Sequence, residues 1–251
     1  MASEAVLLCA LAFFAGLVDA IAGGGGLIQV PALFALLPGA APAALLGTNK
    51  LVAIAGTAVA SARYARAVPG QWRALRTVAL MALAGGAMGA GLASYAPESI
   101  LRVAILVLLI TAFVQTLTKP RFGLEARPRV GSRQAEHMCA GALGLYDGFA
   151  GPGTGSLFMY AYARWFGRDF LGAAATAKLL NLGTNAGALG VFVGLGNVEY
   201  GIAVPMLLAN LAGGYAGASL ALRHGTGFIR RVFVGVVVIL MAKLAWDLIV
   251  G

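Results

Sequence analysis

Apolar runs at 5–21, 44–62, 74–93, 100–117, 173–195, 202–222 and 232–250 each come close to the roughly 20 residues that carry an α-helix across the hydrocarbon of a bilayer. Such runs leave a chain few options, because in lipid every backbone N–H and C=O has to be satisfied from within, as a helix does. The composition agrees. Of 251 residues, 60% are hydrophobic and only 11% charged, with a mean hydropathy of +0.88, too little charge to cover a soluble domain. The expected fold class is an all-α membrane protein.

The start Met1-Ala2-Ser3-Glu4 carries an acid and no base before the first run, unlike a cleaved secretion signal, so this run is expected to stay in the mature protein. The formal charge of +9 does not point to nucleic acid, since the basic residues fall in short stretches between apolar runs, where they fix topology against the cytoplasmic face. Cys9 and Cys139 sit in apolar sequence without His or Cys at ligand spacing and are expected to be packing residues. No metal or other cofactor is expected. Much of the abundant glycine, 36 residues, needs only a packing explanation, because small residues let membrane helices approach closely.

The chain repeats itself. Gly16-Leu17-Val18-Asp19 matches Gly144-Leu145-Tyr146-Asp147 at an offset of 128 residues, and the same offset relates Gly23 to Gly151, Gly25 to Gly153, Thr48 to Thr176 and Lys50-Leu51 to Lys178-Leu179. It also relates Ala84-Gly85-Gly86 to Ala212-Gly213-Gly214, Gly89-Ala90 to Gly217-Ala218, and Arg102 to Arg230. Biased composition can align Ala and Gly, but not rare Asp, Lys and Arg inside apolar sequence. The expected organisation is a first repeat at 1–117, a basic cytoplasmic linker at 118–134 and a second repeat at 135–251, the duplicated plan of many transporters.

Charge orients the halves. The connection at 63–76 holds four arginines, while its counterpart at 196–199 holds Glu199 and no base; conversely 95–99 holds Glu98, while its counterpart carries Arg223 and His224, with Arg230 and Arg231 beyond. The loop at 38–42 is neutral, whereas its match has Arg164 and Arg168. Equivalent loops are thus expected on opposite sides of the membrane, which makes the repeat inverted. Each half is expected to hold a Gly-broken re-entrant element plus three spanning helices, giving eight to ten helical segments and both termini outside. The range depends on whether the short arms at 27–37 and 156–165 count as spans.

The breaks are the first candidate site. Gly23, Gly24, Gly25 and Gly26, and Gly151-Pro152-Gly153-Thr154-Gly155, cannot continue a stable helix, and freed backbone at membrane depth survives only beside a cavity or buried in protein. A short helix restarting after each break would aim its N-terminal N–H groups at the gap and favour an anion. Asp19 and Asp147 lie about one turn before the breaks, and Lys50 and Lys178 lie within apolar runs. Charged groups there cost about 3 kcal/mol or more, so they pair, face the interior or serve a pathway. Two readings stand: two structural ion pairs, or lysines that balance a bound anion with help from Thr48, Asn49, Thr176 and Asn181, the acids pairing with them when the site is empty or carrying a proton. Burial moves a carboxyl toward neutral pH in general, which is the basis for proton coupling.

Asn185 and Asn210 either line the path or hydrogen-bond between helices, and Tyr146 either faces the cavity or packs. Arg102 and Arg230 read as interfacial side chains, and His137 and His224 as membrane-edge residues. Gly23–Gly26 lacks a following Gly-Lys-Ser/Thr, so it is no phosphate-binding loop. Gly47-Thr48-Asn49-Lys50 resembles part of a guanine-reading motif, but Val52 stands where that motif needs an acid.

The sequences Gly-Leu-Val-Asp-Ala-Ile-Ala-Gly-Gly-Gly-Gly-Leu-Ile at 16–28, Leu-Gly-Thr-Asn-Lys-Leu at 46–51, Asp-Gly-Phe-Ala-Gly-Pro-Gly-Thr-Gly at 147–155 and Thr-Ala-Lys-Leu-Leu-Asn at 176–181 resemble the sulfite exporter TauE/SafE family of membrane permeases. The resemblance covers both halves. It implies transport of small sulfur-containing anions, such as sulfite or sulfonated organic acids, across the bacterial cytoplasmic (inner) membrane. Gln29 follows the first break where that family is expected to have a small or hydroxylated residue.

The leading expectation is a secondary transporter for a small anion, working by alternating access and coupled to protons or another gradient, with the substrate and membrane lipid as its partners and no nucleic acid. A passive anion channel is the alternative. An intramembrane enzyme finds little support, because no Ser/His pair, metal cluster or second acid lies near Asp19 or Asp147 in sequence.

Overall fold

The computed structural model describes residues 2–68, 71–97 and 131–250. Among them eight helices follow one another: α1 (Ala2–Ala22), α2 (Gly26–Leu36), α3 (Pro42–Ala67), α4 (Gln71–Tyr95), α5 (Arg133–Phe149), α6 (Thr154–Arg164), α7 (Phe170–Gly194) and α8 (Tyr200–Val250). No strand occurs among the described residues. The apolar run at 100–117 with Arg102, Glu98, and the linker up to residue 130 lie outside the described residues, as does the side chain of Arg230.

Local chemistry sets the helix ends. Pro42 opens α3, where its missing N–H costs nothing. The Ser132 hydroxyl accepts the Ala135 N–H at 3.1 Å and Asp169 accepts the Gly172 N–H at 2.9 Å, capping α5 and α7. Gly225, at φ 69° and ψ −165°, divides α8 into two helices, in line with separate apolar runs at 202–222 and 232–250.

Glu4–Ala22, Pro42–Ala67, Arg73–Tyr95 and Tyr200–Ile229 are each long and apolar enough to cross a membrane. The arms α2 and α6 have 11 residues each, or about 16 Å at 1.5 Å per residue, near half the hydrocarbon thickness. They enter different cores. Val30 and Leu33 of α2 join Leu8, Leu45 and Phe192, whereas Phe158, Met159 and Tyr162 of α6 join Tyr64, Phe170 and Ala218. Helix α5 is absent from the apolar runs because Arg133, Glu136, His137 and Asp147 fall within its 17 residues.

Packing crosses between the halves and recurs at the 128-residue offset. Helix α4 lies on α5 and α7, and α8 lies on α1 and α3. At the first contact Gly85 meets the Gly141 carbonyl, Gly89 the Leu145 carbonyl, and Gly144 the Ala82 carbonyl. At the second, Gly213 meets the Phe13 carbonyl, Gly217 the Leu17 carbonyl, and Gly16 the Asn210 carbonyl. A methyl group at any of these six glycines would collide with backbone, so the helices reach this separation only because no side chain intervenes.

Candidate functional site

The two glycine breaks lie backbone to backbone. Gly23 and Gly24 have φ of 73° and 94°, Gly151 and Gly153 of 85° and 83°, left-handed values that glycine adopts without strain. A Cβ on Gly23 would overlap the Gly155–Ser156 peptide, and one on Gly26 would press on Pro152 Cα at 3.3 Å. Carbonyls released by the breaks find side-chain donors. Ser156 Oγ donates to the Ala22 carbonyl at 3.1 Å, Thr154 Oγ1 donates to the Gly151 carbonyl at 2.9 Å, and the Tyr146 hydroxyl donates to the Pro152 carbonyl. Helices α2 and α6 therefore begin side by side.

Around this junction the four charges Asp19, Lys50, Asp147 and Lys178 pair across the halves. Lys50 Nζ lies 2.8 Å from Asp147 Oδ2, and Lys178 Nζ lies 2.6 Å from Asp19 Oδ2. These are equivalent contacts in the repeat, each taking its acid from the first helix of one half and its lysine from the other half. The first pair is shut away from solvent, with side chains 3% exposed on both sides; in the second Lys178 is fully buried while Asp19 is 17% exposed. Unpaired charges at such depth are prohibitively costly, so each lysine and acid is held in place by the other.

Each pair also binds neutral groups. Asp19 Oδ1 accepts the Gly25 N–H at 3.2 Å, fastening the first break to α1. Asp147 Oδ2 accepts from Thr184 Oγ1 at 2.5 Å. Lys50 Nζ donates to Asn185 Oδ1 at 3.2 Å, and the Asn185 amide reaches Thr57 Oγ1 at 3.5 Å. Gln29 Nε2 donates to the Asn49 carbonyl at 3.4 Å, while Asn210 Nδ2 donates to Gln29 Oε1 at 3.2 Å. The Asn49 side-chain oxygen is buried without a hydrogen-bond partner.

These groups line a hollow of about 30 Å³, room for a water molecule or two. Of the residues singled out in the sequence, Asp19, Gly24, Gly25 and Gly26 line it from the first break, Asn49 and Lys50 from α3, Asp147, Gly151, Gly153, Thr154 and Gly155 from the second break, and Asn181 from α7. Four others stand outside its wall. Gly23 packs on the Gly155–Ser156 peptide, Thr48 Oγ1 accepts the Glu199 N–H at 2.8 Å, Thr176 Oγ1 donates to the Gly172 carbonyl at 2.9 Å, and Lys178 sits on Asp19. Asn185 and Asn210 line the hollow, where the sequence left their role open; Gln29 lines it too, and Thr57 and Thr184 support it. The signal for these three is a polar side chain inside apolar helix, which is faint because a single hydroxyl or amide also satisfies itself locally. His137 is half-buried and His224 exposed, bonded to the Arg133 and Leu220 carbonyls.

A family model, sulfite exporter TauE/SafE, matches residues 8–244. The chain is 37% identical over 237 residues to a probable membrane transporter protein, ORF9, of Sinorhizobium sp., a match covering 94% of this chain and 90% of that one. It is 35% identical over 238 residues to the probable membrane transporter protein YfcA of Escherichia coli, covering 94% and 88%, and 33% identical over 244 residues to a probable membrane transporter protein of Haemophilus influenzae, covering 97% and 94%. No solved structure matches the chain. The long apolar helices, the paired breaks and the family match over nearly the whole length agree: this multi-pass membrane protein belongs to the sulfite exporter TauE/SafE family.

Proposed function

We propose that the protein is a secondary transporter that moves a small anion, sulfite or an organosulfonate, across the bacterial cytoplasmic membrane by alternating access. One observation carries this reading: the starts of α2 and α6 converge on a single polar hollow whose wall holds the buried Lys50. Two helix N-termini supply N–H groups and positive dipole ends, and Lys50 supplies a full charge. Nothing in the arrangement calls for bond-making chemistry, and relatives are named as transporters.

The closed pairs bear on mechanism. Lys50 Nζ is held by Asp147 at 2.8 Å and by Asn185 at 3.2 Å, so an anion that takes this lysine has to part those contacts, as a carrier's site does. Such closed ion pairs favour a carrier over an open pore. Contacts that recur between exchanged halves, together with the alternating loop charges, support two inverted modules rocking about this junction with both termini outside. Lys50→Met in proteoliposomes tests the assignment: sulfite uptake should fall to the level of empty vesicles. Uptake at the unsubstituted rate would remove Lys50 from the site, and large unitary currents would replace the carrier with a channel.

A further inference from the structure

The two exchanged ion pairs are equivalent by repeat and unequal by surroundings. Lys50, Asp147 and Asp19 face the hollow, whereas Lys178 lies behind Asp19 and outside the wall. Asp19 is spoken for on both oxygens, by Lys178 at 2.6 Å and by the Gly25 N–H at 3.2 Å, which makes it a brace for the first break. Lys50 instead hydrogen-bonds a wall residue, Asn185, besides Asp147.

Polar side chains of the wall follow the same bias. Gln29, Asn49, Asn181 and Asn210 all line the hollow, yet their counterparts 128 residues away are Leu157, Ala177, Ala53 and Ala82. Duplication alone would place polar groups in pairs. Of the wall's amides only Asn185 has a polar counterpart, Thr57; the four unmatched ones, with a buried and unpartnered Asn49 oxygen, mark one ligand position beside Lys50 instead of two equal ones. The titratable groups beside Asp147 in the hollow are Lys50 from α3 and Asp19 from α1; Tyr146, next to it on α5, turns its hydroxyl to the Pro152 carbonyl, and α7 presents the neutral Thr184 and Asn181.

Charge balance then sets the stoichiometry. The empty site is neutral, with two lysines against two acids. A monoanion that takes Lys50 leaves one negative charge in excess within the membrane, which is strongly disfavoured; one proton on Asp147 removes the excess and frees the lysine together. A dianion would need a second proton on Asp19, and the lysine so released does not face the ligand. We infer that Lys50–Asp147 is the working pair, carrying one monoanion together with one proton in an electroneutral step, and that Lys178–Asp19 is a structural brace. This rests on the transport reading above.

The test uses the purified full chain in proteoliposomes with two probes, methanesulfonate, a monoanion throughout the working pH range, and sulfite. A pH gradient should accumulate methanesulfonate on the alkaline side by about tenfold per unit of pH, the ratio one coupled proton dictates, and a potassium–valinomycin potential should leave that ratio unchanged. Sulfite flux should follow its singly charged form. Asp147→Asn should lose pH-driven accumulation and become sensitive to the potential, while Asp19→Asn with Lys178→Met should keep the tenfold ratio at whatever rate it runs. Potential-driven accumulation by the unsubstituted protein, flux following the dianion, or a lost ratio in the brace variant would overturn the inference while leaving transport intact. Absence of flux for both probes would remove the transport reading and this inference with it.

Discussion

Asn185 and Thr57 occupy the same position in the two halves, 128 residues apart, and they touch: the Asn185 amide reaches the Thr57 hydroxyl at 3.5 Å. In the inverted two-module plan proposed above, such a contact falls on the axis between the modules. The other end of the same amide accepts from Lys50 at 3.2 Å, so this contact and the charged wall of the hollow form one hydrogen-bonded unit.

Asn185→Leu removes the neutral partner that helps position the Lys50 ammonium. A hydrogen bond to a charged group contributes about 1.5–3 kcal/mol, so the half-saturation concentration for the transported anion should rise by roughly tenfold or more while the protein still folds. Thr57→Val, which touches only the far end of the amide, should cost much less. Initial rates of uptake against anion concentration check both, and equal effects from the two variants would disconnect the axis from the site.

The Lys178–Asp19 pair makes a stability prediction. Removing one member leaves the other buried and uncompensated, which costs about 3–5 kcal/mol where measured in soluble proteins, whereas removing both costs far less. Lys178→Met should therefore lower the melting temperature in detergent markedly, and adding Asp19→Asn should recover much of the loss. A double variant that melts no higher than the single one would mean that the pair does not act as a unit.

The breaks were legible because runs of glycine at membrane depth have few physical readings, and the arms that follow them, expected at 27–37 and 156–165, are α2 at Gly26–Leu36 and α6 at Thr154–Arg164. The pairing of charges was not. Two acids and two lysines allow Asp19 to meet Lys50 within its half or Lys178 across the halves, and only the tertiary arrangement that sets α7 against α1 and α3 against α5 at these positions decides between them. Helix α5 carries no long apolar run because its polar residues, Asp147 among them, belong to the site and the membrane edge. Gln29 was visible as a departure, but its partner Asn210 is 181 residues away, a distance that no local pattern spans.

Gly23 and Gly39 separate a required glycine from an incidental one. Gly23 has φ of 73° and no room for a Cβ beside the Gly155–Ser156 peptide, whereas Gly39 has nothing within 4 Å of a Cβ and no left-handed backbone. Gly23→Ala adds about 1–2 kcal/mol of left-handed strain to a collision with backbone that cannot move without parting the two breaks. Its transport should vanish and its melting temperature drop, while Gly39→Ala should match the unsubstituted protein on both counts. Uptake assays and thermal melts of the two variants decide it.

Arg66 and Gly194 test the inversion itself. They are equivalent in the repeat, 128 residues apart, near the C-terminal ends of α3 and α7. Two modules of like orientation would present both positions to one side of the membrane, while inverted modules present them to opposite sides. The charge around Arg66, with Arg63, Arg73 and Arg76 nearby, assigns it to the cytoplasm under the positive-inside rule, and the base-free stretch after Gly194 assigns that residue to the outside. With Cys9 and Cys139 replaced by alanine, Arg66→Cys should resist a membrane-impermeant maleimide in intact cells and react in inside-out vesicles, and Gly194→Cys should do the reverse. Both are expected to fold, since Arg66 is exposed and Gly194 has open space where a side chain would stand. Labelling of the two from the same side would dismiss the inverted arrangement, and with it the rocking of one module against the other about the paired breaks.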